Sequence, residues 1–244
     1  MRRKLKMFLA IIGIVILLAG VNWVYQVVHN PIILLGQFID GDLKSANSTW
    51  KIYHHLFEEH STFIMTAAYL GALAQVESAG NPVITPYWKW QFTTDIFKIY
   101  APASTSAGLY QYTKATFKDA KRFCIHNHQV AFSGSFFKLT GCWFNGLYSR
   151  LWPSHAIEMT SARLHYYVER SLKKQGKQNV SLLNKQKLAS IIHLCGIRRG
   201  ERFAKADFDF RATPTCGSHS SSAYFSQIKK VMKRYKTISK KIFL

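Results

Sequence analysis

The chain has 244 residues, enough for one sizeable domain and short of two. Apolar residues make up 48% and aromatics 14%, which excludes wholesale disorder. The 33 Lys and Arg against 12 Asp and Glu give a formal net charge of +21, a balance suited to polyanions: nucleic acid, anionic lipid or a carboxylate-bearing cell wall.

The N-terminus narrows that choice. Arg2, Arg3, Lys4 and Lys6 precede an apolar run from Met7 to Val28, broken only by Asn22 and Gln26. About 20 apolar residues cross the hydrocarbon core as a helix, and a basic flank keeps the preceding end cytoplasmic. No small-x-small cleavage site follows the run, and no cysteine stands ready for lipid attachment. An uncleaved anchor over residues 1–28 is therefore preferred to a removed signal peptide. The rest of the chain is then expected outside the cytoplasm, on the outer face of a bacterial inner membrane. That argues against a nucleic-acid partner. It also makes Cys124, Cys142, Cys195 and Cys216 candidates for disulfides. Sequence order favours Cys124–Cys142 and Cys195–Cys216, with four buried thiols as the alternative.

Residues 29–50 read as a linker containing Pro31, Gly36 and Gly41. Trp50 to Gly80 is predicted to be helical. Residues 81–113 are predicted to be loop with a short hairpin, 114–130 helical, and 131–146 irregular. Helices follow over Pro153–Lys174 and Ser181–Leu194. Residues 223–244 form a very basic, helix-like tail, either a solvated end helix or an element lying on anionic lipid. The domain proper is placed at 51–222, of the α+β class and predominantly α-helical.

Within the first of these helices, Phe63 to Val76 is apolar almost all round, as in a helix buried at the centre of a domain. Gly80, Asn81 and Pro82 stop it, leaving Glu77 in the last turn, in line with Phe63, Ala67, Leu70 and Leu73. A carboxyl group in that position loses water, so its pKa is expected to rise. It would then be an acid able to protonate a glycosidic oxygen. A structural Glu paired with one of the many basic residues is the plainer reading of the stripe taken alone.

The wording around Glu77 adds to this. Glu77-Ser78-Ala79-Gly80-Asn81-Pro82 is followed by Ser106-Ala107-Gly108-Leu109-Tyr110-Gln111. Glu-Ser followed shortly by Asn-Pro, then Gly-Leu-x-Gln, resembles the soluble lytic transglycosylase family over roughly residues 60–220. Cys142-Trp143-Phe144-Asn145 through Pro153-Ser154-His155, and His193-Leu194-Cys195-Gly196, look like a membrane- or secretion-associated branch of it. The resemblance implies a lysozyme-like domain that cuts the N-acetylmuramic acid–N-acetylglucosamine bond of peptidoglycan and leaves a 1,6-anhydro ring. Glu77 would be acid and then base. Ser78, Gly108, Leu109 and Gln111 would bind substrate. Where many members have Tyr in a Tyr-Asn-Ala-Gly motif, this chain has His193, which would bind substrate or donate to Glu77. No cofactor and no metal are implied. Peptidoglycan strands, the inner membrane and a secretion or conjugation apparatus are the implied partners.

Three further features stay open. Asp95 offers a second carboxylate, so a hydrolytic muramidase is the enzymatic alternative. A non-catalytic wall-binding subunit of an envelope machine is the other. The aromatics Tyr87, Trp88, Trp90, Phe92, Phe97 and Tyr100 suit either sugar stacking or the core of a small lobe. Cys124, His126 and His128 have the alternation of a metal site, which a disulfide at Cys124 would dismantle.

Overall fold

The computed structural model describes residues 2–29, 44–132 and 141–242. The molecule is predominantly helical. Helix α1 (Arg2–His29) is apolar and exposed along most of its length. At about 1.5 Å per residue it reaches roughly 42 Å, long enough to span a bilayer. Then come α2 (Ala46–Glu59), α3 (Ala67–Ser78), β1 (Trp88–Trp90) and β2 (Tyr100–Pro102). After these lie α4 (Lys114–Ala120), β3 (Phe123–His126), β4 (Gln129–Phe132), α5 (Pro153–Lys174) and α6 (Leu182–Cys195). The chain ends with α7 (Ile197–Lys205), β5 (Thr215–Cys216), β6 (His219–Ser220) and α8 (Ser221–Ile242). Among the described residues the strands form three separate antiparallel pairs, β1–β2, β3–β4 and β5–β6.

Several elements differ from the sequence expectation. The predicted helix over Trp50–Gly80 is two helices. His60 turns away to bond Ser154 through Nε2 (2.9 Å), the Thr62 hydroxyl accepts from the Met65 N–H, and Thr66 caps α3 by accepting from the Tyr69 N–H. Phe63 therefore leaves the Glu77 stripe; it is exposed and packs edge-on against His165 at 4.7 Å. Most of the expected linker, residues 30–43, lies outside the described residues, and its end, from Ala46, belongs to α2. The predicted helix over 114–130 stops at Ala120. Asn127 and His128 then take positive φ (49° and 61°), making the two-residue turn that closes β3 onto β4. The irregular stretch 131–146 contains the end of β4 and the start of a 3-10 turn, Trp143–Leu147, with 133–140 outside the described residues.

The core is organised around α3, buried from Ala68 to Ala74. Helix α2 packs on one side, and α8 covers another. Trp50 of α2 stacks on Tyr235 of α8 with ring centroids 4.7 Å apart. Helix α8 buries Tyr224, Phe225, Ile228, Met232 and Tyr235 and turns Lys229, Lys230, Lys233 and Lys236 to solvent. A domain boundary at 222 is thus not where the packing ends: residues 223–242 carry a face of the core. Each such buried side chain contributes about 1.5–3 kcal/mol, so this helix is integral to stability.

Cysteine pairing follows sequence order. Cys124–Cys142 and Cys195–Cys216 are disulfides, with Cα atoms 5.5 and 5.3 Å apart. The first leaves Cys124 unavailable as a thiolate ligand, while His128 Nδ1 is spent on the Ser61 carbonyl (2.9 Å).

Candidate functional site

The end of α3 is held from three directions. Ala79 (φ 48°) and Gly80 (φ 72°) turn left-handed and terminate the helix. A side chain at Gly80 would collide with Thr49 of α2, its Cβ only 2.1 Å from Oγ1. The Lys44 N–H donates to the Ala79 carbonyl, and Gln75 Nε2 to the Lys44 carbonyl. This fixes the last turn, which carries Glu77.

Next to Glu77, Ser78 is buried. Its hydroxyl donates to the carbonyls of Ala74 (3.0 Å) and Leu109 (2.9 Å). Tyr110, also buried, donates from its hydroxyl to the Leu70 carbonyl (3.1 Å). These bonds clamp the Gly108–Gln111 turn onto α3. Within the turn, the Gln111 amide donates to the carbonyls of Gly108 (3.0 Å) and Ile84 (3.2 Å) and accepts from the Ser106 hydroxyl (2.9 Å). Gly108 has φ 84°, and a Cβ there would lie 2.2 Å from the Arg150 carbonyl oxygen. Arg150 Nη1 in turn donates to the carbonyls of Thr105 and Tyr112. Five sequence-predicted positions, Glu77, Ser78, Gly108, Leu109 and Gln111, therefore come together. Ser78, Gly108, Leu109 and Gln111 build the wall rather than present free groups: Leu109 is fully buried, and Gly108 makes room for protein backbone.

The other wall is α6. Tyr69, eight residues before Glu77 on α3, hydrogen-bonds Ser190 through its hydroxyl (2.9 Å). Gln186 Nε2 donates to the Ile64 carbonyl (3.0 Å). One turn beyond Ser190, His193 points Nε2 at Glu77 Oε1, 3.4 Å away. Its Nδ1 is buried without a hydrogen-bond partner among the described residues. Tyr224, in the first turn of α8, donates its hydroxyl to the same Oε1. Burial, and after it the Glu77 charge, pushes the Tyr224 hydroxyl well above its usual range, so it stays a neutral donor.

Glu77 is mostly buried, its side chain 15% exposed, and Oε2 carries no hydrogen bond from the described residues. Burial pushes its carboxyl up, as expected from sequence. The charge and hydrogen bond of His193, the Tyr224 hydroxyl and the charge of His219 pull it down, and the net direction is below the ordinary carboxylate value. The expected upward shift is thus corrected. Helix α3 supplies the burial, but the opposing groups come from α6, β6 and α8, more than 100 residues downstream.

Two residues at this site, Tyr224 and Tyr69, belong to no motif that the sequence displays. The signal for Tyr224 is the stripe Tyr224, Ile228, Met232, Tyr235, which marks the inward face of α8. Asp95 is occupied elsewhere: it pairs with Lys98 (2.7 Å) and caps the 3-10 turn Ile96–Lys98 by accepting from the Phe97 N–H (3.1 Å).

Comparison with known proteins adds no relative: no family model, no curated protein and no solved structure matches the chain. The site has to be read from its own chemistry.

Replacing His193 tests that chemistry. In His193→Gln the Glu77 carboxyl loses its main downward influence, so its pKa rises. Any activity needing protonated Glu77 then persists to higher pH, and the alkaline limb of the rate profile moves up. The stability effect has the matching sign. A depressed folded-state value stabilises fully above the unfolded value, and the gain is lost as pH falls through the folded one. Urea melts across pH 3–7, about the carboxylate range, should show a smaller acid-dependent loss in the variant. An unmoved rate profile would detach His193 from the acid.

Proposed function

We propose that the chain is a membrane-anchored lytic transglycosylase with a lysozyme-like domain. It cleaves the β-1,4 bond between N-acetylmuramic acid and N-acetylglucosamine in peptidoglycan on the outer side of a bacterial inner membrane. The observation that carries this reading is the Glu77 carboxyl at the end of a buried helix. It is held on one oxygen by Tyr224 and His193 and left without a hydrogen bond from the described residues on the other.

In this scheme Oε2 delivers a proton to the leaving glycosidic oxygen. The carboxylate so formed keeps the Tyr224 hydrogen bond and the approach of His193 on Oε1. It then takes the proton from the C6 hydroxyl of the muramic acid residue as that oxygen closes on C1. Glu77 ends in its starting state, and no water is consumed. One acid suffices because the nucleophile is already attached to the substrate. Burial favours the acid form of Glu77, while His193, the Tyr224 hydroxyl and the charge of His219 favour the carboxylate that the second step uses. The commitment of Asp95 to Lys98 and the Phe97 amide favours the single-acid scheme over hydrolysis.

Mass spectrometry of peptidoglycan digested by the full chain tests this. Anhydro-muropeptides are expected. Reducing ends would replace the proposal with a hydrolase, and absence of cleavage with a wall-binding subunit.

A further inference from the structure

The segment 87–102 has no part in the chemistry above, yet it lies between helix α1 and the turn beside Glu77. Its outer side meets the last turns of α1. Asn22 Nδ2 donates to the Tyr100 carbonyl (2.9 Å), Gln26 Nε2 donates to the Phe97 carbonyl, and Tyr25 stacks on Phe97 with ring centroids 4.2 Å apart. Asn22 and Gln26 are the two polar interruptions of the apolar run. A side-chain amide on a membrane-spanning helix is costly unless partnered, and here the partners are carbonyls of the β1–β2 hairpin and its turn. The inner side of the segment joins the site. The Ala103 N–H donates to the Tyr87 carbonyl (2.9 Å), and the Ile84 carbonyl just upstream accepts from the Gly108 N–H and from Gln111 Nε2, both at 3.2 Å.

Helix arithmetic gives the level of this contact. A hydrocarbon core of roughly 30 Å takes about 20 residues. Counted from Met7, it ends near Gln26, so the hairpin meets α1 at the outer boundary. At that height the segment displays Trp90, Phe92 and Tyr87, which are 76%, 113% and 75% exposed, with Lys89 and Lys98 among them. Fully hydrated rings of this size are unfavourable in water. Trp and Tyr, with their apolar faces and polar edges, gather at the membrane interface, and lysines meet anionic head groups there.

We infer that the β1–β2 hairpin is a lipid-interface platform. It docks on the outer turns of α1 and seats Trp90, Phe92 and Tyr87 in the head-group layer of the bilayer that α1 spans, so the Glu77 site is held at a set height above that membrane. This assigns to lipid the aromatic insert whose alternatives were sugar stacking or a small core.

The test uses the full chain reconstituted in vesicles of phosphatidylcholine and phosphatidylglycerol, with lipids brominated on the upper acyl chain as quenchers. Tryptophan emission is compared between the parent, Trp90→Phe and Trp23→Phe, both exposed positions whose replacement leaves the core untouched. The expected result is that each substitution removes a component quenched by bromolipid and shielded from acrylamide. Quenching traced to Trp23 alone overturns the platform and leaves the anchor. Quenching traced to neither overturns both. A Trp90 component open to acrylamide in vesicles but shielded by added peptidoglycan fragments hands the hairpin to sugar. None of these outcomes depends on catalysis, so the platform and the transglycosylase reading can fail separately.

Discussion

Glu77→Gln is expected to reduce peptidoglycan cleavage by about 10²–10⁴-fold, the range a positioned proton donor and acceptor contributes. The substitution is close to isosteric. Gln accepts the Tyr224 hydrogen bond at the same place and fits the same space between α3, α6 and α8, but it has no proton to give the leaving oxygen and no charge to take one back. The fold should survive. The folded state favours the carboxylate on balance, so the neutral amide gives up that stabilisation and the melting temperature near neutral pH is expected to hold or fall slightly. The measurement is a pair: zymogram or turbidity clearance with product analysis, and a thermal melt of the same preparation. A variant that melts normally and still cuts peptidoglycan at the parent rate removes Glu77 from the chemistry and the proposed reaction with it.

Gly108→Ala should give a large loss of stability for a single methyl group. At φ 84° any L side chain is strained, by about 1–3 kcal/mol. The new Cβ also meets the Arg150 carbonyl oxygen at 2.2 Å, a backbone atom that cannot rotate away. Overpacking of that kind costs about 1–3 kcal/mol more. In a domain of this size each kcal/mol is worth about 2–4 °C, so a fall of roughly 5–20 °C is expected in a circular dichroism melt. Activity should drop as well, because the turn that shifts is the one bonded to Ser78. Gly146→Ala is the control. That residue is exposed, with nothing within 4 Å of an added methyl group, and should melt like the parent. Equal melts for the two variants would mean that the turn yields easily and does not clamp the acid.

What sequence reveals here is mostly what is local. The long apolar helix α1 announces itself by composition, α5 by Pro153 at its first turn, and the end of α3 by Gly80. Ser181 caps α6, accepting from the Asn184 N–H. The break between α2 and α3 carries no Gly or Pro. It is set by Thr caps and by His60 reaching Ser154, a contact 94 residues away in sequence. The Asn127-His128 turn is a hairpin signal that helical propensity on its flanks conceals. At the site the same division holds. The burial of Glu77 follows from the stripe before it, while the direction of its pKa depends on His193, Tyr224 and His219, which only the tertiary fold delivers. Gly108 is legible as a place of close approach, but what approaches is the Arg150 backbone.

The Cys195–Cys216 bond lies two residues after His193 and eight before Tyr224, so both groups that steady the acid hang from one covalent latch. Thiols stay apart in a reducing cytoplasm and couple in an oxidising envelope. A chain in a reducing compartment thus carries its acid without that tie, and only a chain in an oxidising one gains the covalent link between the acid's two attendants.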